Sequence, residues 1–247
     1  MEYRGIFLYN LEKGCENLGI FIKHLLEGAK EAEGLTVIID VLRAFSAECY
    51  AFERGIEEIY PVGDINLAYR LKSLDPDLIL IGEREGYKCE GFDFGNSPSE
   101  IEKACLTGKR AVHTTSAGTQ GIAAAKGATE ILGGSLVNAA ATAEYIKRQN
   151  PEKVTLVPMG FAGIEIAEED ELCAEYIKAL LEGKKFKNMY ERIEEIKKTG
   201  GRRFFDKSQQ EAYPEIDFYK CTETDRFPFA ISITEENGLN TARIAEV

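Results

Sequence analysis

Histidine is scarce in this chain. It has two, His24 and His113, too few for a multi-histidine metal site, and a Ser-His-Asp hydrolase is hard to build around them. Six cysteines (Cys15, Cys49, Cys89, Cys105, Cys173 and Cys221) are scattered, with no Cys-x-x-Cys pair. That removes zinc-type clustering and leaves free thiols as the expected state. No apolar run approaches the ~20 residues of a membrane helix. The opening MEYRGIFLYN does not read as a signal peptide; a soluble, cytoplasmic protein without membrane partners is expected. Basic residues are also short: 30 Lys and Arg against 42 Asp and Glu, a net charge of -12. This argues against a general nucleic-acid or membrane-surface binder. An anionic ligand would have to be met by a few gathered cations or by a metal ion.

What is present is ordinary for a folded domain: 247 residues, 44% hydrophobic and 29% charged, enough for a sizeable core. Short apolar runs alternate with helical patterns. Strands are expected at 5–9, 35–39, 58–62, 78–81, 110–114, 129–132 and 153–158. Helices are expected at 17–32, 46–54, 65–74, 119–126, 137–149, 168–181 and 186–198, with another opening at Ser97-Pro98-Ser99-Glu100. Leu35 to Ile39 is continuous and β-branched, as a strand buried on both faces requires. The alternation predicts an α/β fold, a three-layer α/β/α sandwich with a mostly parallel central sheet. One domain over 1–247 is the economical reading, with about 186–247 as a polar and aromatic C-terminal extension packed on it.

Open parallel sheets bind ligands outside the carboxyl ends of their strands. Four such ends carry chemistry here. Asp40-Val41-Leu42-Arg43 pairs an acid with a guanidinium suited to phosphate. Asp40 could bind Mg²⁺, attack phosphorus, or simply cap the following helix. Glu83-Arg84 repeats the pairing and opens a glycine-rich loop, 82–98, that would fold over the site. Thr114-Thr115-Ser116-Ala117-Gly118-Thr119 is a strand-to-helix turn whose amides and hydroxyls suit an anion, or merely start a helix. Pro158 to Gly163 leads to Glu168, Glu169 and Asp170, which either complement a helix dipole or hold a metal. His113, Cys49 and Cys173 read as core residues.

At these residues the sequence resembles the 2-phosphosulfolactate phosphatase family. The matching stretches are Ile39 to Ser46, Gly82 to Gly86, Gly91-Phe92-Asp93-Phe94-Gly95-Asn96-Ser97-Pro98, Thr114 to Thr119, and Glu169-Asp170 with Cys173-Ala174. The resemblance departs at Phe45 and Ala117, where the family usually has a small or hydroxyl residue and Asn. It implies a Mg²⁺-dependent phosphatase that converts (2R)-2-phospho-3-sulfolactate to 3-sulfolactate and phosphate, a step of coenzyme M synthesis.

In that reading Asp40, Arg43, Glu83 and Arg84 are catalytic. Asp40, Glu83, Glu169 and Asp170 hold the metal or its waters. Ser46, Asn96, Ser97, Thr114, Thr115, Gly118 and Thr119 contact substrate. Direct attack by a metal-activated water and an aspartyl-phosphate at Asp40 both remain open. The competing functions are a phosphatase of another phosphorylated hydroxy acid, a phospho-ligand binder without turnover, and a phosphomutase or lyase. A homodimer is the base-rate assembly.

Overall fold

The computed structural model describes residues 18–247; the strand expected at 5–9 lies outside them. Ten strands form one sheet: β1 (Gly19–Ile22), β2 (Gly34–Ile39), β3 (Glu58–Pro61), β4 (Ile79–Arg84), β5 (Tyr87–Lys88), β6 (Arg110–Thr114), β7 (Ala128–Gly134), β8 (Lys153–Pro158), β9 (Phe229–Glu236) and β10 (Leu239–Glu246). Its order is β1-β8-β2-β7-β9-β10-β3-β6-β4-β5. The helices are α1 (Leu25–Lys30), α2 (Ala44–Glu53), α3 (Ile65–Leu74), α4 (Pro98–Ile101), α5 (Gly118–Ala124), α6 (Ala139–Gln149), α7 (Glu168–Leu181), α8 (Met189–Ile196) and α9 (Glu215–Thr222). Short 3₁₀ turns lie at Leu136–Asn138 and Gly200–Phe205.

β2 explains the layering. Its five residues from Leu35 to Ile39 are buried. Ile38 packs into one core cluster with Phe45 and Ile122, while Val37 and Ile39 pack into a second with Leu172 and Ile177. Successive side chains of a strand point to opposite faces, so a run buried along its whole length supplies two cores at once. This is the predicted α/β sandwich: a mostly parallel sheet flanked by helices.

The N-terminal edge corrects the sequence reading. The helix expected over 17–32 is a strand, β1, followed by the short α1. Leu18, Ile20 and Ile22 pack inward and Phe21 points out. That period-two pattern overlaps the helical spacing of Leu18, Ile22 and Leu25, and pairing with β8 decides between them.

The C-terminal stretch is the larger correction. It does not merely pack on the sheet; its last two strands enter it. β9 and β10 form an antiparallel hairpin between β7 and β3, joining the parallel blocks β1-β8-β2-β7 and β3-β6-β4. Asn237 and Gly238 both have positive φ, 51° and 79°, as the tightest hairpin turn requires. Three consecutive antiparallel pairings nominally reverse the second block. The carboxyl ends of β2 and β8 and those of β4 and β6 nonetheless line one cavity.

Candidate active site

The meeting place is a cavity of about 450 Å³. It is lined from β2 by Asp40, Leu42 and Arg43, from β4 by Glu83, Glu85 and Gly86, from β6 by Ser116 and Ala117, and from β8 by Gly160 and Phe161. The start of α7 adds Glu168, Glu169 and Asp170. All four strand ends singled out in the sequence thus converge.

The acids tie those ends together through backbone amides. Asp40 Oδ1 accepts from Ala44 N at 3.2 Å and Oδ2 from Gly118 N at 2.9 Å. Asp170 accepts from Val41 N and from Gly160 N, each at 2.8 Å. Glu83 accepts from Ser116 N at 2.7 Å and Gly86 N at 2.6 Å. Each carboxylate bridges two chain segments, and Asp40 both faces the cavity and accepts from the first amide of α2.

These acids are crowded. Burial pushes Asp40 up to about 6; the Glu83 charge adds to this, and the Ala44 and Gly118 amides oppose it. Burial also raises Asp170 well above the carboxylate range, reinforced by Asp40 and Glu169. Glu169 is raised by burial, with Asp40 and Glu168 adding and Arg203 opposing. Glu169 Oε2 is buried without a hydrogen-bond partner. Like charges in a low-dielectric pocket call for a cation or a proton. Carboxylate oxygens suit Mg²⁺, which usually takes one or two of them and completes its shell with water and phosphate oxygens. Among the described residues no three His, Cys, Asp or Glu side chains form a metal cage of their own.

Other expected site residues sit elsewhere. Arg84 lies next to Glu83 on a strand, so the two must face opposite ways. Its guanidinium donates to Thr114 Oγ1 at 2.8 Å, Glu83 O and Gly63 O, away from the cavity lining. Ser46 is buried beneath the site, donating to Val41 O at 2.8 Å and meeting Ser135 Oγ at 2.6 Å. Thr115 and Thr119 satisfy each other: Thr119 N donates to Thr115 Oγ1 at 3.0 Å and Thr115 N to Thr119 Oγ1 at 2.8 Å. The turn has the predicted donors, but the protein's own carboxylates and hydroxyls occupy them. Ser116 and Ala117, rather than the threonines, face the cavity.

Arg43 lines the cavity but is committed. Its Nη1 meets Asp217 Oδ2 at 2.8 Å in a buried ion pair, and its Nη2 donates to Gly86 O at 3.2 Å. Asp217 also accepts from Ser99 N at 3.0 Å, linking α9 to α4. Asn96 lines the cavity with Nε2 of His113 at 3.0 Å from its Oδ1, and His113 Nδ1 lies 2.6 Å from Glu48 Oε1. His113 is the packed core histidine that was expected, but it also holds a cavity residue. Ser97 caps α4 and lines an adjoining cavity shared with Arg43, Gly86 and Asn96.

Sequence reasoning missed Arg203, Tyr213 and Asp217. Each lies far along the chain in the polar stretch. The one legible signal was Arg202-Arg203 beside two glycines in a chain poor in cations.

The chain is similar to known proteins. The family model described as 2-phosphosulpholactate phosphatase matches residues 20–226. The chain belongs to that family. A probable 2-phosphosulfolactate phosphatase of Bacillus subtilis (strain 168) is 31% identical over 210 residues, covering 84% of this chain and 90% of that protein. One of the same description from Caldicellulosiruptor saccharolyticus is 42% identical over 147 residues, 58% of this chain and 61% of that one. A third, from Carboxydothermus hydrogenoformans, is 40% identical over 156 residues, 63% and 64%. The matched stretch thus spans under two thirds of these last two relatives. The family match ends before β9, so it covers every acid of the cavity but not the hairpin that completes the sheet.

Proposed function

We propose that this chain is a Mg²⁺-dependent phosphatase that hydrolyses (2R)-2-phospho-3-sulfolactate to (2R)-3-sulfolactate and inorganic phosphate. The observation that carries this is one cavity, in a chain of this family, that joins a crowded acid wall of Asp40, Glu169 and Asp170 to arginine side chains. The substrate bears phosphate, carboxylate and sulfonate on three carbons. Such a ligand can enter an acidic cavity only with a cation.

Asp40, Glu169 and Asp170 are the residues that would hold Mg²⁺, directly or through water. When bound, it offsets their charge and that developing on the phosphoryl oxygens. Glu83 holds the Ser116 turn and Gly86 in place around the site. Asn96, fixed by His113, closes the wall between the two adjoining cavities. Where Asp40 reaches the metal through water, its carboxylate would be the group placed to accept that water's proton. Phe161, Tyr213 and Ile166 add apolar and aromatic lining.

The test is phosphate release from 2-phosphosulfolactate by the purified full chain, with Mg²⁺ and with excess chelator. Release that needs Mg²⁺ is expected. No release with Mg²⁺ present would sink the proposal and favour a phospho-ligand binder. Release from phospholactate but not from 2-phosphosulfolactate would move the substrate to another hydroxy acid.

A further inference from the structure

Among the described residues, two basic ones line the acid-walled cavity, Arg43 and Arg203. Arg43 is spent on Asp217 and Gly86 O. Arg203 is not. Its sole hydrogen bond among the described residues is a long one, Nη2 to Leu42 O at 3.5 Å. Its Nε is buried without an acceptor. Glu169 lines the same cavity and feels the Arg203 charge, which opposes its raised pKa, yet among the described residues the two form no ion pair, and Glu169 Oε2 is also buried and unpartnered. An acid and a base that share a cavity without pairing are each open to a ligand group of the opposite sign.

The guanidinium is held for that purpose. Its central carbon lies 5.3 Å from the Phe161 ring centroid, 5.5 Å from that of Phe204 and 5.2 Å from that of Tyr213. Three aromatic contacts from two chain regions restrict its rotamers and partly desolvate it, while leaving no competing carboxylate. A desolvated, pre-oriented guanidinium binds oxyanions more strongly than one in water.

We propose that Arg203 binds the substrate's second anionic group, the carboxylate or sulfonate that stays on the three-carbon unit, and so selects phosphoesters carrying that extra charge over simple ones. The inference rests on the substrate class proposed above. Its logic is charge separation. The wall of Asp40, Glu169 and Asp170 repels any anion not accompanied by a cation, so the phosphoryl group belongs with the metal ion. The spare anion then belongs with the one arginine that has no acid partner.

The experiment compares the full chain with its Arg203→Met and Arg203→Lys variants, folding being checked by circular dichroism. One readout is calorimetric binding of 3-sulfolactate, which carries both spare anions and no phosphate. The other is kcat/KM for 2-phosphosulfolactate against p-nitrophenyl phosphate, which has no second charge. Losing a charge-assisted contact predicts roughly ten- to hundredfold weaker sulfolactate binding in Arg203→Met, partly retained in Arg203→Lys. The kcat/KM for 2-phosphosulfolactate should fall by about that factor more than for p-nitrophenyl phosphate. Wild-type sulfolactate affinity in Arg203→Met, or an equal fall on both phosphoesters, overturns the proposal. If the wild type binds sulfolactate through Arg203 but releases no phosphate, the phosphatase reading fails and the anion subsite stands. If it releases phosphate and neither readout depends on Arg203, the reverse holds. A wild type that neither binds sulfolactate nor turns over overturns both. Should Arg203→Met not fold, the Lys variant carries the same comparison, because it keeps the charge but loses the planar fork.

Discussion

Arg43 and Asp217 are 174 positions apart in the chain and meet at 2.8 Å in the interior, with side-chain exposures of 4% and 0%. The pair joins the strand end at the site to α9. The second Asp217 oxygen takes Ser99 N, and Arg43 stacks against Phe204 and Tyr213 at 5.5 and 5.2 Å. Arg43 is thus as much a tie between segments as a ligand for phosphate. Removing one partner leaves an uncompensated buried charge. Asp217→Ala should therefore destabilise the protein by about 3–5 kcal/mol, as measured by urea denaturation. A loss under about 1 kcal/mol would mean that the pair is not buried as described.

The acid wall predicts a pH dependence. The folded-state pKa of Asp40 stands at about 6, above the ordinary 3.8. The folded state thus holds more protons than the unfolded state between those values. By linkage, Asp40 lowers stability as pH rises through that window, and the cost is complete above about pH 6. In metal-free buffer, wild type should lose stability from pH 4 to 6 more steeply than Asp40→Asn, in denaturation midpoints taken at half-unit steps. Parallel curves would show that Asp40 does not titrate there.

Gly86 has φ +85°, and a Cβ on it would stand 1.6 Å from Tyr213 Oη. Gly86→Ala must displace the tyrosine and break its 3.0 Å hydrogen bond to Glu85 O. The expected outcome is a stability loss of about 2 kcal/mol or more together with reduced turnover. In Tyr213→Ala the clash is gone, so the Gly86→Ala step should cost less there, a coupling that a double-mutant cycle measures.

Ser46, Thr115 and Thr119 fill their hydrogen bonds inside the protein. Ser46→Ala should cost about 1 kcal/mol of stability and change KM less than twofold. A KM rise of tenfold would return Ser46 to the substrate.

His113 is fully buried between Glu48 and Asn96. Glu48 already has one unpartnered buried oxygen. His113→Phe should cost roughly 3 kcal/mol or more by stranding that acid, and should raise KM by freeing Asn96. Unchanged KM at preserved fold would detach Asn96 from the site.

The sequence by itself determined the local elements and the strand ends. Asp64 caps α3 by accepting from Asn66 N at 2.9 Å, as its position before Ile65 predicts. β8 and α7 have the expected bounds, because a β-branched run and a four-acid first turn are local signals. The acids Asp40, Glu83, Glu169 and Asp170 were legible for the same reason: Asp40 directly follows β2, Glu83 stands near the end of β4, and Glu169 and Asp170 open α7. The hairpin β9–β10 is missing from the expected elements, although Phe229, Ile231 and Ile233 alternate with Ala230, Ser232 and Thr234 ahead of Asn237-Gly238.

Tertiary structure alone decided which way each side chain faces and what reaches it from afar. Strand alternation sent Arg84 to the opposite face from Glu83. The sheet order, with the β9–β10 hairpin between the two parallel blocks, brought their carboxyl ends to one cavity. Asp217 came 174 residues to occupy Arg43, which left Arg203 as the cavity's cation without an acid partner among the described residues. Local propensity acts over a few residues, whereas pairing between distant charges depends on a chain path that no short pattern encodes.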